Sequence, residues 1–180
     1  MTATPTITSE RLVLRPFSEE HLTERYVAWL NDPEVVRFSE LRHRAHSMED
    51  CVRHLAALRE SDHMFWAIEL RAAPHTHIGN ASAYFDLPNR VAEVSILLGD
   101  RAMRGKALGS EAWCTVVDYL ATSDDVRMVE AGTMSTNTAM LKLFERSGME
   151  ITGRQPGRFL LDGCPVDLVT ARRLADGVRP

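Results

Sequence analysis

The hydrophobic pattern changes period several times along the chain, and each change marks an element. Arg11 to Phe17, RLVLRPF, alternates leucine and valine with arginine and closes at Pro16, which predicts a strand. Ser18 then caps, Glu19 and Glu20 sit in the first turn where negative charge is favourable, and apolar Leu22, Tyr26, Trp29 and Leu30 recur at helical spacing. This predicts a helix over Glu19 to Leu30, stopped by Asn31-Asp32-Pro33. Ser47 with Asp50 three residues on forms a capping-box-like pair, so a second helix is expected from Met48 to Arg59. Three β-rich runs follow, Phe65 to Leu70, His77 to Phe85 and Ala92 to Leu98. Ala-Pro-His and Leu-Pro-Asn turn clusters separate them, which predicts an antiparallel meander.

After Leu98 the alternation gives way to Gly99, Asp100, Arg104, Gly105, Lys106 and Gly109, which lead into a helix carrying Leu108, Ala112, Val116, Tyr119 and Leu120 on one face. Val126 to Ala131 reads as a further strand and Asn137 to Arg146 as a short amphipathic helix ended by Gly148. Arg158 to Leu161 and Val166 to Ala171 read as a closing hairpin around Asp162-Gly163.

Composition narrows the classes. At 180 residues and 44% hydrophobic content the chain is long enough for one sizeable core, so a single domain over 1–180 is expected. A formal charge of -4 gives no general attraction to phosphate backbones, and nucleic acid is not expected as a partner. No run of about 18 apolar residues offers a membrane span, and the start lacks the basic-then-apolar layout of a signal peptide. A cytoplasmic protein with no membrane partner is expected. Cys51, Cys114 and Cys164 show no CxxC pairing, so they read as reduced thiols, mostly core. Trp29, Trp66 and Trp113 sit on apolar faces and read as core too. His75 and His77 are too isolated to suggest a metal site.

Arg104-Gly105-Lys106-Ala107-Leu108-Gly109-Ser110 follows a strand and opens a helix, where free N–H groups and the helix dipole can hold an anion. Arg104 and Lys106 add positive charge, so a pyrophosphate suits the loop. The stretch is neither a Walker loop nor a dinucleotide fingerprint, since GxxxxGK[ST] and GxGxxG are both absent.

Here the chain resembles the GCN5-related N-acetyltransferase (GNAT) family. Arg104 to Gly109 fills the family's [QR]-x-x-G-x-[GA] acetyl-CoA loop, with Ala107 where the family has its first fixed glycine. Asn137 to Met149, NTAMLKLFERSGM, is similar to the family helix N-x-x-A/M-x-x-L-[YF]-x-x-x-G-F. The framing is like the ribosomal-protein N-terminal acetyltransferase branch, and Trp29 to His46 also looks like acetyltransferases acting on nucleotide-linked amino sugars.

The resemblance implies an α/β fold, with a mixed, mostly antiparallel sheet of about seven strands and helices on both faces. It implies acetyl-CoA as co-substrate, no metal, transfer to a primary amine by direct attack in a ternary complex, and a homodimer as the frequent assembly of the branch. The amine could be an amino sugar or nucleotide sugar, a protein N-terminus, or another small amine. By the same resemblance Ile96, Leu97 and Leu98 line the pantetheine, and the N–H of Leu97 or Leu98 meets the oxyanion. Arg104, Gly105, Lys106, Ala107, Leu108, Gly109 and Ser110 hold the pyrophosphate, and Asn137 bonds the pantetheine arm.

Glu93, expected on a strand and partly buried, is the first candidate for the base that frees the amine. Many relatives carry a tyrosine general acid where this chain has Phe144, which would lie beside the cofactor but has no proton to give. Ser135, Thr136, Ser147 or a water would substitute, with Ser135 the first candidate. Tyr84 is a candidate acceptor contact, and Arg42, His43 and His46 lie in the segment that walls the acceptor site, where Arg and His suit an anionic or phosphorylated acceptor. The alternative is a non-catalytic acyl-CoA-binding or regulatory module of the same fold.

Overall fold

A computed structural model describes residues 4–177. The elements in chain order are β1 (Ile7–Thr8), β2 (Leu12–Pro16), α1 (Glu24–Leu30), α2 (Met48–Arg59), β3 (Met64–Leu70), β4 (Ala73–Asp86), β5 (Val91–Leu98), α3 (Leu108–Ala121), β6 (Met128–Met134), α4 (Thr138–Arg146), β7 (Glu150–Leu161) and β8 (Cys164–Leu174). The strands form one sheet of eight in the order β1-β2-β3-β4-β5-β6-β8-β7. Every neighbouring pair is antiparallel except β5 with β6. The eighth strand, beyond the seven read from the pattern, is β1. Just ahead of it the Pro5 carbonyl accepts from Trp66 Nε1 at 2.7 Å.

β3 shows why both faces of the sheet are covered. Trp66 and Ile68 point into a core shared with Leu12, Leu14, Trp113, Val116 and Phe144, whereas Phe65 and Ala67 point the other way, into a core with Phe17, Tyr26, Trp29 and Leu55. Residues two apart share a face, so α3 and α4 cover one side and α1 and α2 the other. The three tryptophans are buried as expected. Of the cysteines only Cys51 is buried. Cys114 is intermediate and Cys164 exposed, because Cys164 falls at the turn of the last hairpin.

The first helix is shorter than its apolar spacing suggests. Ser18 starts only a single 3-10 turn, Glu19–His21, whose His21 Nδ1 accepts the Ser18 N–H at 3.0 Å. That leaves Nε2 to carry the hydrogen that Glu69 receives at 3.0 Å, both side chains being buried. Thr23 then restarts the chain as a true cap, its Oγ1 accepting from Tyr26 N at 3.1 Å. The second helix begins where the capping box placed it, with Ser47 and Asp50 bonded reciprocally.

The closing hairpin is longer than expected, and the reason lies in Gly153, Pro156 and Gly157. These residues break the sequence pattern, yet β7 is an edge strand and absorbs them as pairing irregularities between Ile151 and Gly153 and between Gln155 and Phe159. Its turn is the expected one, Asp162 and Gly163 both having positive φ, 52° and 78°.

Candidate active site

β5 and β6 stay paired only from Val91–Met128 to Glu93–Glu130. Beyond Glu93 the strands part, while β5 keeps β4 as far as Leu98 and β6 keeps β8 as far as Met134. Gly99 N–H donates to Ile78 O at 3.0 Å. The two-residue period of that ladder turns the backbone of Leu97, Ser95 and Glu93 toward β4. Ile96 and Leu98 therefore direct their N–H and C=O groups into the gap, where no strand answers them. Of the two oxyanion candidates, the Leu98 N–H faces the gap and the Leu97 N–H does not. At the end of β5 the Trp29 ring covers Gly99 so closely that a Cβ there would lie 2.0 Å from a ring carbon, which excludes any larger residue.

The loop after β5 brings the start of α3 to the mouth of this gap. Asp100 ties a 3-10 turn, Arg101–Met103, by accepting from Ala102 N at 2.9 Å. The backbone then turns through Gly105 at φ 75° and Ala107 at φ 60°. Ala107 is the N-cap of α3, and it has no side-chain oxygen to satisfy the first turn. The first helical bond is Glu111 N–H to Ala107 O, so the N–H groups of Leu108, Gly109 and Ser110 have no partner within the helix. Such groups aligned with the helix dipole form an anion site.

Glu111 braces that site. Its carboxylate accepts from Ser9 Oγ at 2.6 Å, from Arg11 N at 2.7 Å and from Arg11 Nε at 2.6 Å, and Arg11 also donates to Lys106 O at 3.0 Å. Burial pushes the Glu111 carboxyl up, but the bonds from Ser9 and Arg11 outweigh it and hold the group below its ordinary range. Of the loop cations, Arg104 lies 3.5 Å from Glu34, which also takes Arg101 at 3.1 Å, and Arg101 grips Asp32. Lys106 makes no ion pair among the described residues; its Nζ lies 3.9 Å from Met103 Sδ.

On the β6 side, Asn137 caps α4. Its Oδ1 accepts from Met140 N at 3.2 Å and its Nδ2 donates to Thr133 Oγ1 at 3.0 Å, which commits most of the amide expected on the pantetheine. Phe144 is 0% exposed and packed against Trp113 with ring centroids 6.0 Å apart, in the core beneath α4, so its ring presents no open surface where the sequence reading expected a cofactor contact. Ser147 is no proton donor either, because its hydroxyl donates to Leu143 O at 2.8 Å and accepts from Trp113 Nε1 at 2.9 Å. Ser135 is partly exposed just past the end of β6, and Thr136 is exposed beside it.

Glu93 sits at the point where the strands part, opposite Tyr84 on β4 and Glu130 on β6. It is exposed where partial burial was expected, because it lies on the sheet face beyond the α1 and α2 packing. Tyr84 is half-buried, its ring edge-on to His63 at 5.0 Å.

Two residues of the acceptor segment are engaged within the protein itself. His46 is buried at 7% exposure, its Nε2 2.9 Å from Leu41 O, and it holds the loop together instead of facing a ligand. Arg42, 14% exposed, donates to Ser39 O, Glu40 and Leu160 O, so it bolts the loop to the tip of the last hairpin. His43 is exposed, 3.5 Å from Glu40.

Between this loop and the hairpin lies a cavity of about 520 Å³, lined by Leu30, Pro33, Val36, Arg37, Arg42, His43, Arg44, Leu160, Leu161 and Asp162, among others. Two lining residues belong to clusters that reach the parted strands, Leu30 sharing one with Leu97 of β5 and Leu161 one with Met134 of β6. Arg37 and Arg44 were not singled out from sequence, although Arg44 lies within the same RHRAH run.

Comparison with known proteins agrees with this geometry. Human alpha/beta-tubulin-N-acetyltransferase 9 is 22% identical over 153 residues, 78% of this chain and 73% of that protein. The structure of the ribosomal alpha-N-protein acetyltransferase RimL in complex with coenzyme A superposes with a TM-score of 0.83, covering 97% of this chain and 100% of that one at 16% identity. Spermidine N-acetyltransferase from Vibrio cholerae, in complex with CoA and spermine, superposes with a TM-score of 0.81 over 93% of this chain and 97% of that one at 17% identity. Residues 11–150 match the family described as an acetyltransferase (GNAT) domain, and the chain belongs to that family.

Proposed function

We propose that this acetyltransferase domain transfers acetyl from acetyl-CoA to a primary amine, with the thioester in the β5/β6 gap and the amine entering from the cavity beside it. The observation that carries the reading is the parting of β5 from β6 after Glu93, with the uncapped N-terminus of α3 at its mouth. Amides of the pantetheine need backbone partners, and Ile96 and Leu98 offer them. The pyrophosphate needs N–H donors and cations, which Leu108, Gly109, Ser110, Arg104 and Lys106 supply.

The named relatives act on tubulin, a ribosomal protein and spermidine, which supports an amine acceptor without choosing among them.

In this reading an alkyl ammonium of pKa about 10 must lose a proton before attack, and Glu93 takes it through water, being exposed at the parting point. The amine nitrogen bonds to the acetyl carbon, the Leu98 N–H receives the developing oxyanion, and the C–S bond breaks. The nitrogen of the collapsing intermediate releases its remaining extra proton and the departing thiolate, of pKa about 8.5, gains one, with water or the Ser135 hydroxyl relaying it by giving one proton and taking the other, so the absence of a tyrosine at position 144 does not stop the reaction.

A second reading, a binding module without chemistry, is favoured by one observation: position 144, where the family resemblance expects a tyrosine acid, holds a phenylalanine with no proton to give. Thiol release from acetyl-CoA, measured over amino sugars, nucleotide-linked amino sugars, peptides and polyamines, separates the two. Amine-dependent release supports the enzyme. A CoA-induced rise in melting temperature with no release across the panel supports the module.

A further inference from the structure

We infer that the acceptor is a small amine that also carries an anionic group, a phosphate or carboxylate, and that Arg44 is the residue that reads it; this rests on the transferase reading above. The cavity wall carries Arg37, Arg42, His43 and Arg44 against a single acidic lining residue, Asp162. Those cations are not equivalent. Arg42 is consumed by Ser39, Glu40 and Leu160, His43 faces Glu40, and Arg37 lies 3.3 Å from Asp162.

Arg44 alone among them makes no hydrogen bond or ion pair by its side chain among the described residues, and it is exposed at the cavity. The Ser47 bonds hold the Asp50 carboxyl below its ordinary value and burial does the same to the His54 ring, with the Arg44 charge adding a smaller share to each.

An unpaired guanidinium at the wall of a concave site favours an anion bound through charge-assisted, bidentate bonds. The same wall repels a polycation. The cavity volume of about 520 Å³ suits a small molecule, and its lining residues Leu30 and Leu161 belong to the clusters that hold Leu97 of β5 and Met134 of β6, which puts it on the side of the molecule where those strands have parted.

The test uses the full chain saturated with CoA, so that the anion site at α3 is already filled, and three matched probes: ethanolamine, β-alanine and O-phosphoethanolamine. Binding is measured by calorimetry for the native protein and for Arg44→Gln, which leaves a long polar side chain at an exposed position. The expected result is that one or both anionic probes bind at least about tenfold more tightly than ethanolamine, and that Arg44→Gln removes the preference. Whichever anionic probe leads identifies phosphate or carboxylate as the recognised group.

Equal affinity for all three, failure of every probe to bind, or an anion preference unchanged in Arg44→Gln overturns the inference. Failure of CoA itself to bind in the preceding titration would instead contradict the transferase reading, and the two failures are read in separate steps.

Discussion

Restoring the family tyrosine at position 144 should harm this protein without improving its chemistry. Phe144 is fully buried against Trp113, whose ring nitrogen already donates to Ser147. In Phe144→Tyr the added hydroxyl enters a core shared with Val116, Val129 and Ala171, all apolar. An unsatisfied buried hydroxyl costs about 1–3 kcal/mol, and crowding in a packed core adds to it. For a domain of this size each kcal/mol lowers Tm by roughly 2–4 °C, so a fall of about 5 °C is expected. Calorimetry reads the Tm, and thiol release at saturating acetyl-CoA reads kcat, which should stay within about twofold of the native value at temperatures where both proteins are folded. A variant as stable as the native protein, with kcat raised about tenfold, would show that position 144 faces the cleft and would refute the placement of Phe144 in the core.

Four further outcomes follow from named contacts. Ala107→Gly removes the strain of a left-handed alanine at φ 60°; the gain of about 1 kcal/mol is partly offset by a freer unfolded chain, so denaturant titration should show a net rise below that value. Glu34→Gln frees Arg104 from a surface pair and should tighten CoA binding by no more than about threefold, read by calorimetry. The Glu111 carboxyl is held below its ordinary value in the fold, so its contribution is present above pH 4.5 and is lost as pH falls through the folded-state value; Glu111→Gln should lower Tm at pH 7 and lose less than the native protein on further acidification. Burial, with His21 nearby, pushes His77 down to about 4 from 6.5, so the folded state favours the neutral ring. Stability tied to it is present above pH 6.5 and declines toward pH 4, and His77→Gln should flatten that part of the Tm–pH curve.

Sequence was most informative where a local bond decides the structure. The Ser47–Asp50 box and the Asp162-Gly163 turn are such cases, and so is the Arg104 to Ser110 loop, which opens α3 through Gly105 and Ala107 at positive φ. It was least informative where a distant partner decides. His21 ends the first turn because Glu69, far along the chain, receives its hydrogen. Arg42 lines the cavity but is tied to Leu160, and the His46 ring turns back to Leu41. Phe144 kept the family's position but not its presumed outlook, since the helical pattern gives a face and not the depth to which that face is buried. Glu93 erred the other way: its strand was read correctly, but helices α1 and α2 do not cover it.

The central claim, that coenzyme A lies in the β5/β6 gap with its phosphates on α3, is tested most directly by amide hydrogen exchange with and without CoA. The account predicts slowed exchange at Ile96, Leu98 and across Gly105 to Ser110, with β7 unchanged. Protection elsewhere, or CoA binding that leaves those amides unaffected, would contradict it.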